Sequence, residues 1–177
     1  MRGYKQYWLK EVEATDDNGK PRAATTIRPL PRGTKFSGTI RYKNLTEAEL
    51  GLLLWCLRLE KGCYQSVGMA KPYGYGRMRL TIDAIKEFEA PALYDSGSFL
   101  VSDTKSDAAG AEEYIKKYCD YAEQHLADLA PIKENSLLRD FFFMKTSIRT
   151  SNEMCYMSLK EYRFKAALPS VQDYSRA

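Results

Sequence analysis

Lys71 and Arg77 frame a stretch in which Gly68, Gly74 and Gly76 are interspersed with Pro72, Tyr73 and Tyr75. Glycine lets a backbone approach a phosphate chain closely, and flanking cations neutralise its charge. Residues of these types at this spacing point to a clamp for phosphates, with a tyrosine packing on a sugar or base. The stretch is not a P-loop, because the GxxxxGK[ST] order is missing and a strand, not a helix, is predicted to follow. Arg79 stands two residues after Arg77, so in a strand both side chains leave one face while Met78 and Leu80 take the other. The plainer alternative is a glycine-rich turn with solvated cations.

Other chemistry is sparse. His125 is the only histidine, so any Ser-His-Asp or Cys-His set must use it. It falls in a predicted helix, where a lone histidine is ordinarily a surface residue. Asp16 and Asp17 lie in a turn beside Asn18-Gly19 and could hold a divalent ion for phosphodiester cleavage, but paired acids in such a turn are more often turn formers. Cys56, Cys63, Cys119 and Cys155 are scattered without a CxxC pair, so neither a zinc site nor a disulfide framework is predicted. The expectation is therefore no catalytic residue, no metal and no cofactor. Phe141, Phe142 and Phe143 are three consecutive aromatics in a predicted helix. Each residue turns by about 100°, so they cannot all face one core: either the helix is sandwiched on two sides or one ring docks on another protein, which makes the three a candidate partner interface.

The 177 residues suffice for one domain, or one domain with an appendage, and 44% hydrophobic residues suffice for a core. The net charge of +4 is unevenly spread. Residues 1–88 hold 16 Lys+Arg against 9 Asp+Glu, or +7, and residues 89–177 hold 11 against 14, or −3. The basic half also carries Tyr4, Tyr7, Trp8, Tyr42, Tyr64, Tyr73 and Tyr75, and cations among aromatics suit nucleic acid. No apolar run reaches the roughly 20 residues of a membrane span, and MRGYKQYWLKE lacks a signal-peptide core, so a cytoplasmic protein is expected.

Several elements must position the loop. Tyr4–Glu11 reads as a strand, 14–22 as a turn, and Ala24–Arg28 as its hairpin partner. Over 34–43, Phe36, Gly38, Ile40 and Tyr42 alternate with polar residues, which predicts a strand with one buried face. Thr46 and Glu49 form a capping box for a helix carrying Leu50, Leu53, Leu54 and Leu57, with Gly62 as its expected left-handed cap. A strand is predicted over Arg77–Ile85. Residues 89–110 read as a linker or mobile loop. Two helices follow, Ala111–Leu129 and Leu137–Lys145, the second capped by Asn135 or Ser136.

The order strand, capped helix, glycine loop, strand resembles the C-terminal part of RAMP-superfamily proteins of CRISPR systems. The resemblance rests on Phe36-Ser37-Gly38-Thr39-Ile40, Asn44-Leu45-Thr46 with Glu49-Leu50, and Gly68-Met69-Ala70-Lys71 through Gly74-Tyr75-Gly76-Arg77. The opening RGYKQYW is similar to the lead-in to this region in the type III backbone branch. It implies an α+β, ferredoxin-like (RRM-related) partial domain with an antiparallel sheet over 1–88 and a helical extension over 111–177. It also implies CRISPR RNA and other effector subunits as partners, one of them supplying an N-terminal half-domain. Gly68, Lys71, Tyr73, Gly74, Tyr75, Gly76, Arg77 and Arg79 are then the RNA-contacting set. An endonuclease and a protein-interaction module are the competing functions.

Overall fold

The computed structural model describes residues 6–12, 27–87, 105–106, 110–146, 148–149 and 170–171, and the side chains of 105, 106 and 149 are not among what it describes. The protein is α+β. In chain order the elements are β1 (Leu9–Lys10), α1 (Glu47–Arg58), β2 (Gln65–Ser66), β3 (Arg77–Met78), β4 (Lys86–Glu87), β5 (Lys105–Ser106), α2 (Gly110–His125), α3 (Ser136–Thr146) and β6 (Ile148–Arg149). They form three two-stranded sheets: β1 with β6 in parallel, and β2 with β3 and β4 with β5 antiparallel. The expected turn at 14–22, most of the strand 24–28, Asp16, Asp17 and Cys155 lie outside the described residues.

The chain divides into two compact units, each assembled from separated segments. The first comprises 1–42, 64–78 and 140–177, and the second 43–63 and 79–139. Counted over these segments, the first holds 17 Lys+Arg against 8 Asp+Glu, net +9, and the second 10 against 15, net −5. The charge asymmetry of the sequence is thus sharper in space than along the chain.

The second unit is built on a helix pair. Thr46 caps α1: its Oγ1 accepts from Glu49 N at 3.3 Å, and Glu49 Oε2 accepts from Thr46 N at 2.7 Å. The expected capping box is therefore in place. The C-terminal end differs from expectation, because the cap is Leu59, at φ 59° and ψ −167°, which donates to Trp55 O three residues before Gly62. Leu59 is held there by burial in the core, which outweighs the cost of a non-glycine residue at positive φ. Leu50, Gly51, Leu54 and Trp55 of α1 pack against α2, which buries Ala111, Ile115, Tyr118 and Ala122.

Gly51 sets how closely the two helices approach. A Cβ there would lie 2.0 Å from the carbonyl oxygen of Tyr114 and 2.9 Å from Tyr118 Cβ. Charged pairs border the crossing: Arg58 with Glu112, and Lys117 with Glu47 at 2.6 Å and Glu113 at 3.3 Å. Each contributes little alone because it is exposed to water. Tyr114 donates to Glu87 Oε1 at 2.7 Å, and this bond to a carboxylate pushes the phenol up to about 12.

The cap gives a pH prediction. The backbone hydrogen bond from Thr46 holds the Glu49 carboxyl below its ordinary 4.5, so its contribution is present above that value and lost as pH falls through the lower folded value. Wild type and Glu49→Gln should therefore differ in melting temperature at pH 6, and the gap should close as pH falls through the lowered folded value. Thr46→Ala should cost about 1 kcal/mol at pH 7 in urea denaturation. A gap between wild type and Glu49→Gln that did not narrow with acidification below pH 4.5 would refute the cap.

The first unit has a small core in which Trp8 and Met144 are buried and Phe143 and Val171 pack on them. Among the described residues the strand expected over 4–11 is regular at Leu9–Lys10, and it pairs with β6. The strand expected over Arg77–Ile85 is likewise short. Arg77 and Met78 pair with Ser66 and Gln65, and residues 79–85 carry no regular structure before β4. The largest departure is 34–43, which forms no strand. Its predicted buried face is open: Phe36 is 79% exposed and Ile40 57%. Alternation had correctly marked an amphipathic segment, but an apolar face is buried only where a second layer covers it.

Helices α2 and α3 lie where the apolar stripes predict, although α2 stops at His125, four residues short of Leu129. Asn135 caps α3 by accepting from Leu137 N at 3.1 Å and Leu138 N at 3.2 Å. Lys105–Ser106, inside the stretch read as a linker, pairs with β4. Among the described residues no helix is long and apolar enough to cross a membrane.

Candidate nucleic-acid interface

The glycine loop is the connection of the β2–β3 hairpin, extended one step by Val67 N donating to Gly76 O at 2.9 Å. Residues 68–75 form its tip. Ala70 enters the left-handed region (φ 57°), Lys71–Tyr73 makes one 3-10 turn begun with Pro72 at its second place, and Gly74 leaves it at φ 85°. Two glycines are required here. A Cβ on Gly74 would sit 2.4 Å from Glu11 O, and one on Gly76 would sit 1.8 Å from Val67 O. Gly74 therefore lets the loop lie against the end of β1, and Gly76 lets the hairpin close.

The peptide N–H groups of the turn are used internally. Tyr73 N donates to Ala70 O at 3.0 Å, Gly74 N to Lys71 O at 3.1 Å and Tyr75 N to Ala70 O at 3.3 Å. These three amides are thus turned inward, on the Tyr73–Tyr75 side of the loop tip.

Several side chains converge on a shallow recess lined by Trp8, Leu9, Lys10, Ser66, Lys71, Gly74, Tyr75 and Arg77. Its interior has room for little more than a water. Lys71 Nζ donates to Gly68 O at 2.5 Å, which spends one of its three protons and holds the ammonium near the loop. Lys10 is 6% exposed. Arg77 lies over the Tyr64 ring at 5.5 Å, and its Nη1 is buried without a hydrogen-bond partner among the described residues. Leaving a guanidinium N–H buried and unmet costs more than an ordinary lost hydrogen bond, so this donor is set up for an acceptor from outside.

Of the residues singled out in the sequence, Lys71, Gly74, Tyr75 and Arg77 line the recess. Gly68 and Tyr73 sit on the exposed rim of the same loop, and Gly76 shapes the hairpin. Arg79 is exposed and belongs to the other unit. Trp8, Lys10 and Ser66 were not singled out. The signal for the first two was present, since Trp8 and Lys10 alternate on one face of the YKQYWLKE strand.

Phe141, Phe142 and Phe143 are each half-buried. Phe143 meets Trp8 edge-on at 5.9 Å and so belongs to the core of the first unit, while Phe141 and Phe142 contact each other at 5.4 Å. Lys145 is 5% exposed and its ammonium lies 5.7 Å from the Phe141 ring. His125 stacks on Tyr121 at 4.3 Å, and its Nδ1 lies 2.9 Å from Tyr121 O. Burial pushes the Cys56 and Cys119 thiols up, away from the reactive thiolate. No group of three or more His, Cys, Asp or Glu suited to a metal occurs among the described residues.

The class so defined is an α+β protein with a cation-lined recess on its basic unit. No family model, curated protein or solved structure matches the chain.

Proposed function

We propose that this chain is a non-catalytic RNA-binding subunit of a type III CRISPR effector, of the RAMP kind that its motifs resemble, acting in the cytoplasm. The observation that carries the RNA reading is the unmet guanidinium N–H of Arg77, in a recess that Lys10 and Lys71 also line, on a unit of net charge +9. Phosphate oxygens are the acceptors that such a site selects. Tyr73, exposed at the loop tip, is placed to pack on a sugar or base. The test is to purify the chain with its neighbouring genes and sequence the RNA that accompanies it. Short RNAs of uniform length with a repeat-derived end are expected, and a chain free of RNA would overturn the reading.

In this reading the short strands of the first unit are part of a ferredoxin-like sheet that another subunit completes. Residues 27–41 support it, being exposed without a break, with Leu30, Phe36 and Ile40 among them. The segment holds Arg28, Arg32, Lys35 and Arg41 and no carboxylate. An alternating segment of this kind is suited to joining the edge of a neighbouring sheet. Phe36→Ser with Ile40→Ser should leave the melting temperature of the isolated chain within about 1 °C, because exposed side chains contribute little to it. The same change should abolish co-purification with the other effector subunits. A large loss of stability, or undiminished assembly, would refute this role.

A further inference from the structure

We infer that residues 35–41 carry a second RNA site, completed only when this segment has joined a neighbouring subunit's sheet. The inference rests on the RNA reading and the sheet-joining role above, and adds what the joined strand presents on its other face. Alternation carries it. In a strand Phe36, Gly38 and Ile40 share one face, and Lys35, Ser37, Thr39 and Arg41 share the other. With Phe36 and Ile40 against the neighbour's core, the outer face shows a row of cation, hydroxyl, hydroxyl and cation, about 6.6 Å from one to the next. All four residues are exposed, and a Cβ at Gly38 would meet nothing within 4 Å, so the segment has room to pair. Lysine, arginine, serine and threonine are side chains that contact a phosphate chain without regard to base. The row has a fixed start. Thr34 N and Oγ1 donate to Pro31 O at 3.2 and 2.7 Å, and Gly33 turns at φ 87°. Arg28 and Arg32 precede that turn and fall outside the row. In the isolated chain residues 35–41 carry no regular structure. Aligning their cations along an RNA then costs ordering entropy that a paired strand has already met.

The experiment compares the double variant Lys35→Gln with Arg41→Gln in two settings: the isolated full chain, and the assembly that co-purifies with its neighbouring subunits. The control, Arg28→Gln with Arg32→Gln, removes the same charge ahead of the turn. In the isolated chain, affinity for a labelled 12-nucleotide RNA should stay within about twofold of wild type for both double variants. In the assembly, release of the co-purified RNA into excess heparin should be about tenfold faster for Lys35→Gln with Arg41→Gln, and within about twofold for the control. Subunit ratios by size exclusion should match wild type throughout. An equal loss in the isolated chain, or equal release rates for the variant and the control, would overturn the inference while leaving RNA binding intact. A variant that no longer assembled would overturn it too, since its cations would then serve the protein junction. A wild-type assembly that held no RNA would instead refute the RNA reading on which the inference stands.

Discussion

Replacing Lys71 and Arg77 together by alanine is expected to lower RNA affinity by about 10- to 100-fold at 0.1 M salt. The slope of log K against log salt should also become shallower by roughly 1.4, or about 0.7 for each lost contact to a single strand. The reason is local: both side chains line the recess, and among the described residues Arg77 Nη1 has no hydrogen-bond partner. The control must remove the same charge without disturbing packing. Lys117 is unsuitable, since it bonds to Glu47 and Glu113 beside the α1–α2 crossing. Lys61 and Lys116 are exposed and serve instead. Because Arg77 also rests on the Tyr64 ring, the melting temperature of the double variant is read alongside. Equal losses in the two double variants would mean that only net charge matters, and the loop would lose its assignment.

Gly51→Ala should destabilise the protein by about 2–3 kcal/mol, although alanine is the better helix former by about 1 kcal/mol. The two effects have opposite sign, and geometry decides between them. The added methyl would lie 2.0 Å from a backbone oxygen of Tyr114, which cannot turn aside as a side-chain tip can. Relief requires α1 and α2 to move apart, which loosens Leu50, Leu54, Ile115 and Tyr118 together. Urea denaturation followed by far-UV circular dichroism measures the difference. A variant more stable than wild type would show that the helices do not cross as closely as described.

The helices were legible because their signals are local. Thr46 and Glu49 lie three residues apart, and the bonds they make are the ones that spacing foretells. The stripe on α2 needed only the helical period to be seen. The strands were poorly legible because pairing is settled at a distance. Nothing near Leu9 announces Ile148 as its partner, and Phe36 alternates as a buried residue would while standing open to water. The loop was found through its glycines, yet the amides of Tyr73, Gly74 and Tyr75 serve the turn itself, a use that the glycine spacing does not reveal. Lys10 and Lys145 escaped notice because a buried lysine has no sequence signature beyond the elements around it. The charge division was half seen, because the basic unit gathers three segments that the sequence holds far apart.

The chain has two tryptophans, Trp8 in the basic unit and Trp55 in the helix-pair unit. Trp8 stands against Phe143 at the edge of the recess, whereas Trp55 packs on Tyr118 and donates to Glu60 at 2.7 Å. Each unit therefore contains its own fluorophore, so intrinsic emission can be dissected with one conservative replacement. Trp55→Phe leaves a lamp beside the recess, and Trp8→Phe leaves one between the helices. Their separate melting curves distinguish a molecule that comes apart as one cooperative body from one whose binding half loosens first.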